Sequence, residues 1–344
     1  MITRIKKIST AILLKFLKQT DIQHFLDDRV RIGQQRLPEL NNLATPYLNP
    51  RVESVKTNTR DDIVFISSRF RSGSTLLWNL FRQSGECTSL YEPFNERQWF
   101  NPETRGENVD QTHRGVDDYW AEYVGMESLS EIYDENWIRH ELMMTEESHA
   151  PAMQKFIERL VELSPKRPVL QFNRIDLRLP WIRQHFPNAK IIHLYRHPRE
   201  QWCSFLTNHQ IMNKDHVIDT YQDAFYLDTW CNDLAKHYPF LDKRHTPHPY
   251  QRFYALWKIS FLYGLQFGDH SLSFEDLTSQ PQEELNTIFN VLNLKTSSSS
   301  IERLSQVIQA PAVDRWKQYA DDEWFTTHEQ KVEAMIQPFI KKNE

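Results

Sequence analysis

Between Asp61 and Glu92 a β-rich run, a polar loop and a helical pattern follow one another without a break. Ile63, Val64, Phe65 and Ile66 form a short strand-like run, and the loop reads Arg69-Phe70-Arg71-Ser72-Gly73-Ser74-Thr75. From Leu76 onward, Leu77, Leu80 and Phe81 recur at helical spacing, and Gly85 stands where a helix C-cap belongs. A strand that enters a helix through a tight loop leaves the first helical N–H groups without intrahelical partners, and together they make an anion site. Gly73 allows the backbone to turn and approach a ligand closely. Ser74 and Thr75 add hydroxyl donors, and Arg69 and Arg71 add charge. The unit reads as a phosphate cradle.

The rest of the chain repeats the alternation. Thr88–Tyr91 reads as a short strand that delivers Glu92 and Pro93, Val169–Phe172 as another, Lys190–Tyr195 (KIIHLY) as an apolar buried one, and Ser271–Phe274 as the last. Helical patterns cover Ala152–Leu163, Leu177–His185, a segment that Pro198 opens at its favoured first position, Val217–Lys236, Gln251–Phe267, Glu284–Leu292 and Phe325–Lys341. Alternating strands and helices predict an α/β fold with a parallel central sheet, right-handed crossovers and flanking helices. Residues 94–147 are irregular and rich in Trp, Tyr, Asn and Glu, and are expected to lie over the C-terminal edge of the sheet, where open α/β sheets bind ligands. Residues 1–60 are read as an N-terminal helical extension to a domain covering 61–344. Its early apolar run, Ala11–Leu17, is interrupted by Lys15 and falls short of the roughly 20 residues of a membrane span. No small-residue cleavage site follows, so the run reads as an amphipathic surface helix, and the expected location is cytoplasmic. A net charge of −5 argues against general nucleic-acid binding. Three cysteines without metal spacing, Cys87, Cys203 and Cys231, suggest a reducing compartment.

The loop is not a Walker A motif, which carries Lys immediately before the hydroxyl residue; here that residue is Gly73. Arg71-Ser72-Gly73-Ser74-Thr75 instead resembles the 5'-phosphosulfate loop of sulfotransferases that use 3'-phosphoadenosine 5'-phosphosulfate (PAPS), in the branch where Arg holds the first position. A second segment, Pro187-Asn188-Ala189-Lys190 followed by an apolar strand and Arg196-His197-Pro198-Arg199, is similar to the 3'-phosphate segment of the same family. Arg196 and Ser204, eight residues apart, match its two contact positions. His197 stands where the family usually has Asp. Ser273-Phe274-Glu275-Asp276-Leu277 resembles a structural strand end of the family. Asp314-Arg315-Trp316-Lys317 is similar to its Gly-Arg-Trp-basic stretch, with Asp314 in place of Gly. The resemblance covers about Asp61 to Ala320 and implies a P-loop-like three-layer fold, with Arg71, Ser72, Gly73, Ser74, Thr75, Arg196, Ser204, Arg315 and Lys317 binding the donor.

In-line sulfonyl transfer needs a cation on the leaving side, rigid placement, and a base for the acceptor proton. The resemblance makes Arg71 the leaving-side cation, with Arg174 after the Val169–Phe172 strand as a second. Glu92 matches a glutamate of the carbohydrate branch and is the candidate base. Pro93 is expected to hold it in extended backbone, and β-strand neighbours to present it beside the loop. An ion pair to a loop arginine is the alternative reading of Glu92. Glu96, His113 and His140 are further candidates, and His193 reads as a core residue. No metal cluster is apparent, and the chemistry requires none. The expected activity is O-sulfation of a small-molecule or carbohydrate hydroxyl, with PAPS and that acceptor as the partners. A P-loop nucleotide kinase and a non-catalytic nucleotide-binding protein are the rivals; the absent loop lysine and the lack of an evident Mg-binding Asp count against the first.

Overall fold

A computed structural model describes residues 60–110, 112–309 and 314–340, which fall in the unit Thr59–Glu344. The expected N-terminal helical extension lies outside the described residues. Five strands form one sheet: β1 (Val64–Ser68), β2 (Cys87–Tyr91), β3 (Arg167–Phe172), β4 (Lys190–Tyr195) and β5 (His270–Ser273). Their spatial order is β2-β3-β1-β4-β5, and every neighbouring pair is parallel. The register sets Phe65 beside Leu170 and Ile191 across the three central strands. The expectation that β1 and β2 are neighbours is corrected by this order, since β3 lies between them. Pairing is a tertiary choice, and nothing in either strand's own residues encodes it.

Strand side chains alternate between two cores, as a two-residue period requires. Phe65, Leu170, Phe172 and Ile191 face one side, where α2 (Pro151–Leu163) contributes Phe156 and Leu160 and α3 (Leu179–His185) contributes Trp181. Val64, Ile66, Val169 and Ile192 face the other, against Leu77 and Phe81 of the helix after the loop. That helix, α1, spans Ser74–Ser84 and ends on Gly85 at φ 75°, where an α-helix C-terminus favours glycine. The helices α8 (Pro281–Val291) and α9 (Ser298–Ser305) complete this second layer through Ile288 and Leu304. Helices on both faces of a parallel sheet make the three-layer α/β arrangement of P-loop-like folds.

A third cluster joins α4 (Pro198–Phe205), α5 (Leu227–Leu234), α6 (Pro249–Phe267) and α10 (Asp322–Ile340) through Trp202, Trp230, Phe253 and Phe325. The single helical pattern expected over Val217–Lys236 is two helices, one turn of α-helix at Val217–Thr220 and the separate α5. Tyr221 ends the first at an extended ψ of 128°, and Tyr226, in a left-handed conformation at φ 61°, stands just before the second. Phe274, expected to end β5, instead opens α7 (Phe274–Ser279), because the Ser273 side chain caps it by accepting from the Asp276 N–H at 2.9 Å.

Residues 94–147 contain three short 3-10 turns and no strand among the described residues, in keeping with their lack of β pattern. They are tied down by buried polar groups. The Arg178 guanidinium is fully buried and donates to the carbonyls of Trp137, His140 and Glu141 at 2.9–3.2 Å. Arg82 of α1 binds Glu122 and Asp118, and the Tyr123 hydroxyl donates to the Tyr91 carbonyl at 2.9 Å. Among the described residues no helix is long and apolar enough to cross a membrane.

Candidate active site

Because all five strands run the same way, their C-terminal ends share one edge. A cavity of about 750 Å³ opens along that edge. Each strand end sends a residue to its wall: Arg71 after β1, Glu92 after β2, Arg174 after β3, Arg196 after β4 and Phe274 after β5. Residues 94–147 form much of the rest, with Trp99, His113 and Tyr119 among them.

The loop after β1 is held in an uncommon backbone shape. Arg71 sits at φ 66° and Gly73, the residue before α1, at φ 94°. A side chain at 73 would also collide with Phe274, whose ring lies 2.2 Å from the position a Cβ would take. Glycine is therefore required twice here, for the left-handed turn and for the close approach. The two arginines of the loop part company. Arg69 is buried in an ion pair with Asp176 at 2.7 Å and lies over the Trp230 ring, so its charge is already matched within the protein. Arg71 turns to the cavity; its Nε donates to the carbonyl and hydroxyl of Ser204 at 3.1 Å, and its Nη1 lies 3.7 Å from Asp110. Ser72 is fully buried and donates to the Arg69 carbonyl, which makes it a brace of the loop, whereas Ser74 and Thr75 line the cavity.

Arg196 sits on the same side. It donates to the Arg71 carbonyl at 3.3 Å and lies 4.7 Å over the Phe274 ring. Glu200 approaches it at 3.7 Å and also lies 3.5 Å from Arg315. The Nε atoms of Arg196 and Arg315 are buried without a hydrogen-bond partner, as are both Glu200 oxygens. Burial and the neighbouring Arg315 lower Arg196 to about 10, still charged at neutral pH. The structure brings Arg71, Ser204 and Arg196 together as expected and sets Arg315 behind them. Lys317 does not reach the cavity; it pairs with Asp314 at 2.7 Å. Asp314 adopts φ 61°, a conformation glycine reaches without strain.

Across the cavity, Glu92 is 3% exposed. Its carboxylate accepts from Asn173 and Arg174, and from Asn95 at 3.3 Å. The ion pair is thus to Arg174, not to a loop arginine. Arg174 also binds Glu96 at 3.0 Å, and lies 4.9 Å over the Phe70 ring. Burial raises the Glu92 carboxyl above the ordinary carboxylate value against the pull of Arg174. The backbone expectation is corrected: Glu92 has φ 37°, not an extended value, despite the proline that follows. The Asn95 N–H donates to the Glu92 carbonyl at 2.9 Å, closing a turn that outweighs the local preference. Phe225 and Tyr226 extend the aromatic wall from Phe70, with ring centroids 5.4 and 6.4 Å away.

His113, one of several open candidates in the sequence, lines the cavity beside Thr75; His140 does not. Burial lowers His113 to about 4, so it is neutral at pH 7. His193 is a core residue as expected, bonded to Ser271 at 3.1 Å and packed against Gly264. Nothing in the local pattern selects Tyr119 or Asn173, whose contacts arise only where distant segments meet.

The family model described as "Sulfotransferase family" matches residues 63–298. Among solved structures, the chain is similar to the sulfotransferase domain from the curacin biosynthetic pathway, at 16% identity over 80% of this chain and 97% of that one, with a TM-score of 0.41. It is similar to sulfotransferase STF9 from Mycobacterium avium at 10% identity, covering 82% and 76% of the two chains, TM-score 0.43. Mouse sulfotransferase SULT7A1 complexed with PAP gives 12% identity, 80% and 84% coverage, and a TM-score of 0.40. No curated protein sequence matches the chain.

Proposed function

The chain belongs to the sulfotransferase family, and we propose on that premise that it moves a sulfonyl group from PAPS to a hydroxyl of a carbohydrate or other small hydroxylated acceptor. The observation that carries this reading is the meeting of five parallel strand ends on one cavity, with Arg71, Ser74, Thr75, Arg196 and Ser204 on one side and Glu92 and Arg174 on the other. The residues present suit the donor. Arg196, which lines the cavity, keeps a buried Nε–H that makes no hydrogen bond, and a buried donor left so carries a desolvation cost that an anion relieves. Gly73 leaves backbone bare at the start of α1, where N–H groups favour anions.

PAPS would supply the sulfonyl group and a phosphate leaving group. Arg71 and the first N–H groups of α1 are placed to stabilise negative charge that grows on the leaving side. Arg196 and Ser204 would hold the 3'-phosphate, which a guanidinium grips as a fork. Glu92 is the proposed base: burial raises its pKa toward the range in which a carboxylate accepts a proton efficiently, and Asn173, Asn95 and Arg174 fix its direction. Arg174 belongs to the same group, as the cation that keeps Glu92 in place and faces the reacting centre. The aromatic wall of Phe70, Phe225 and Tyr226 supports an acceptor with a flat apolar face, as sugars have.

The test is transfer of radiolabelled sulfate from PAPS to a panel of glycans and small alcohols, by wild type and by Glu92→Gln. Label reaching an acceptor with wild type and not with the variant supports the reading; equal transfer by both removes Glu92 from the base role.

A further inference from the structure

The cavity wall contains a chain of hydrogen bonds whose directions can be worked out donor by donor. It begins at the Asp110 backbone N–H, which can only donate, and does so to the Tyr119 hydroxyl oxygen at 3.0 Å. The Tyr119 hydroxyl lies 2.5 Å from His113 Nδ1. The oxygen can accept a second bond, but the buried hydroxyl's own proton also needs an acceptor, and among the described residues His113 Nδ1 is the acceptor within hydrogen-bond reach, so the hydroxyl donates to it. A neutral imidazole that accepts at Nδ1 carries its proton on Nε2. His113 Nε2 lies 3.3 Å from Thr75 Oγ1 and therefore donates to it. From the other side the buried Tyr91 hydroxyl lies 3.0 Å from the same Thr75 oxygen. Among the described residues it has no other side-chain hydrogen-bond partner, so a buried Tyr91 proton also goes to Thr75. Both lone pairs of Thr75 are then filled, and its single proton has one direction left, into the cavity it lines.

We infer that His113 and Tyr119 are positioning residues that aim the Thr75 hydroxyl proton into the cavity. Resting on the sulfonyl-transfer reading, this makes Thr75 a donor set in advance toward the phosphosulfate, and such preorganised donors need no reorientation as charge develops. The relay requires His113 to be neutral, and burial keeps it so at pH 7. Tyr119 stacks on Tyr91 with centroids 4.6 Å apart and planes at 17°, so Tyr119→Phe removes the proton and keeps the packing.

The first arm of the test needs no ligand. Nitrogen-15 NMR of the full chain labelled in histidine reads which ring nitrogen of His113 carries the proton. At pH 7 we expect the Nε2–H form in wild type and, in Tyr119→Phe, a shift toward Nδ1–H with an unchanged melting temperature. An Nδ1–H form in wild type overturns the inference. The second arm measures binding of 3'-phosphoadenosine 5'-phosphate (PAP) by calorimetry to Thr75→Val, Tyr119→Phe and the double variant. Each single variant should weaken binding by roughly two- to tenfold, the span of one hydrogen bond, and the double variant no further than Thr75→Val alone. Additive losses overturn the relay, since they mean Tyr119 acts without Thr75. His113→Gln, which retains a donor, should bind better than His113→Phe; equal binding overturns the relay as well. If wild type binds no PAP, the sulfonyl-transfer reading fails, and the histidine tautomer alone still decides the relay.

Discussion

Two residues on opposite walls carry most of the chemistry proposed for the cavity, and each can be separated from its neighbours by substitution. Glu92→Gln keeps the shape of a group that Asn173, Asn95 and Arg174 hold in place and removes its basicity. Its kcat should fall by roughly two to four orders of magnitude, the usual range for loss of a general base, while PAP affinity measured by calorimetry stays near wild type. A collapse of PAP affinity instead would make the Glu92–Arg174 pair a structural support of the loop. Arg196→Ala should weaken PAP by roughly 1.5–3 kcal/mol, the worth of a charged hydrogen bond, and leave adenosine 5'-phosphate almost unaffected. Equal losses for the two nucleotides would return Arg196 to its contacts with Glu200 and the Arg71 carbonyl. Both positions were legible in the sequence because each directly follows a strand-like run, mixed before Glu92 and apolar before Arg196. The backbone of Glu92 was not: the proline rule foresees extended angles, and a turn closed by Asn95 overrides it.

At the scale of elements, the loop between β1 and α1 depends on Gly73 more than on any side chain. Gly73→Ala forces an L-residue to φ 94° and sets its Cβ against the Phe274 ring. The backbone strain alone is of order 1–3 kcal/mol, so the midpoint of urea unfolding should drop, and PAP binding with it. Pairing the change with Phe274→Ala should recover part of the loss, that due to the ring; no recovery would mean that the backbone angle sets the whole cost. A second element test concerns the start of α6. His248 caps it, its Nδ1 accepting from the Tyr250 N–H at 3.1 Å, and its ring lies 4.1 Å from that of His328. Burial lowers both histidines, to about 3 and about 4. A histidine held neutral in the folded state takes up its proton more readily when unfolded, so its stabilising effect is full above pH 6.5 and is lost as pH falls toward 4. His248→Asn keeps a good capping residue and removes one titrating ring. Its melting temperature should match wild type near pH 7.5 and fall less steeply between pH 6.5 and 4; an identical slope would exclude His248 from the acid response. The strands themselves were placed from sequence to within a few residues, because β-rich runs bounded by polar loops survive into the fold. Their order was not, since the insertion of β3 between β1 and β2 is decided by how the connecting helices pack and not by any local pattern.

Across the unit Thr59–Glu344, function follows from a single topological fact: parallel strands bring residues separated by some two hundred positions to one edge, where charge, hydroxyls and bare backbone N–H groups converge. The sequence announced the two segments proposed to hold the donor's phosphates, since a glycine-centred loop and an arginine after a buried strand are short, local signals. It placed residues 94–147 over this edge but not which of their side chains turn inward, because an irregular segment has no period from which to read them. Tyr119 emerged, and His113 was set apart from the other open candidates, only when that segment was seen against α1. The most direct measurement of the account is a calorimetric titration of the wild-type chain with PAP, with adenosine 5'-phosphate, and with ATP in the presence of magnesium. PAP should bind at least about tenfold more tightly than the nucleotide lacking the 3'-phosphate, as one charged hydrogen bond requires, and magnesium should not be needed. Preference for magnesium-bound ATP, or equal affinity for all three, would contradict the assignment of this cavity to a PAPS donor.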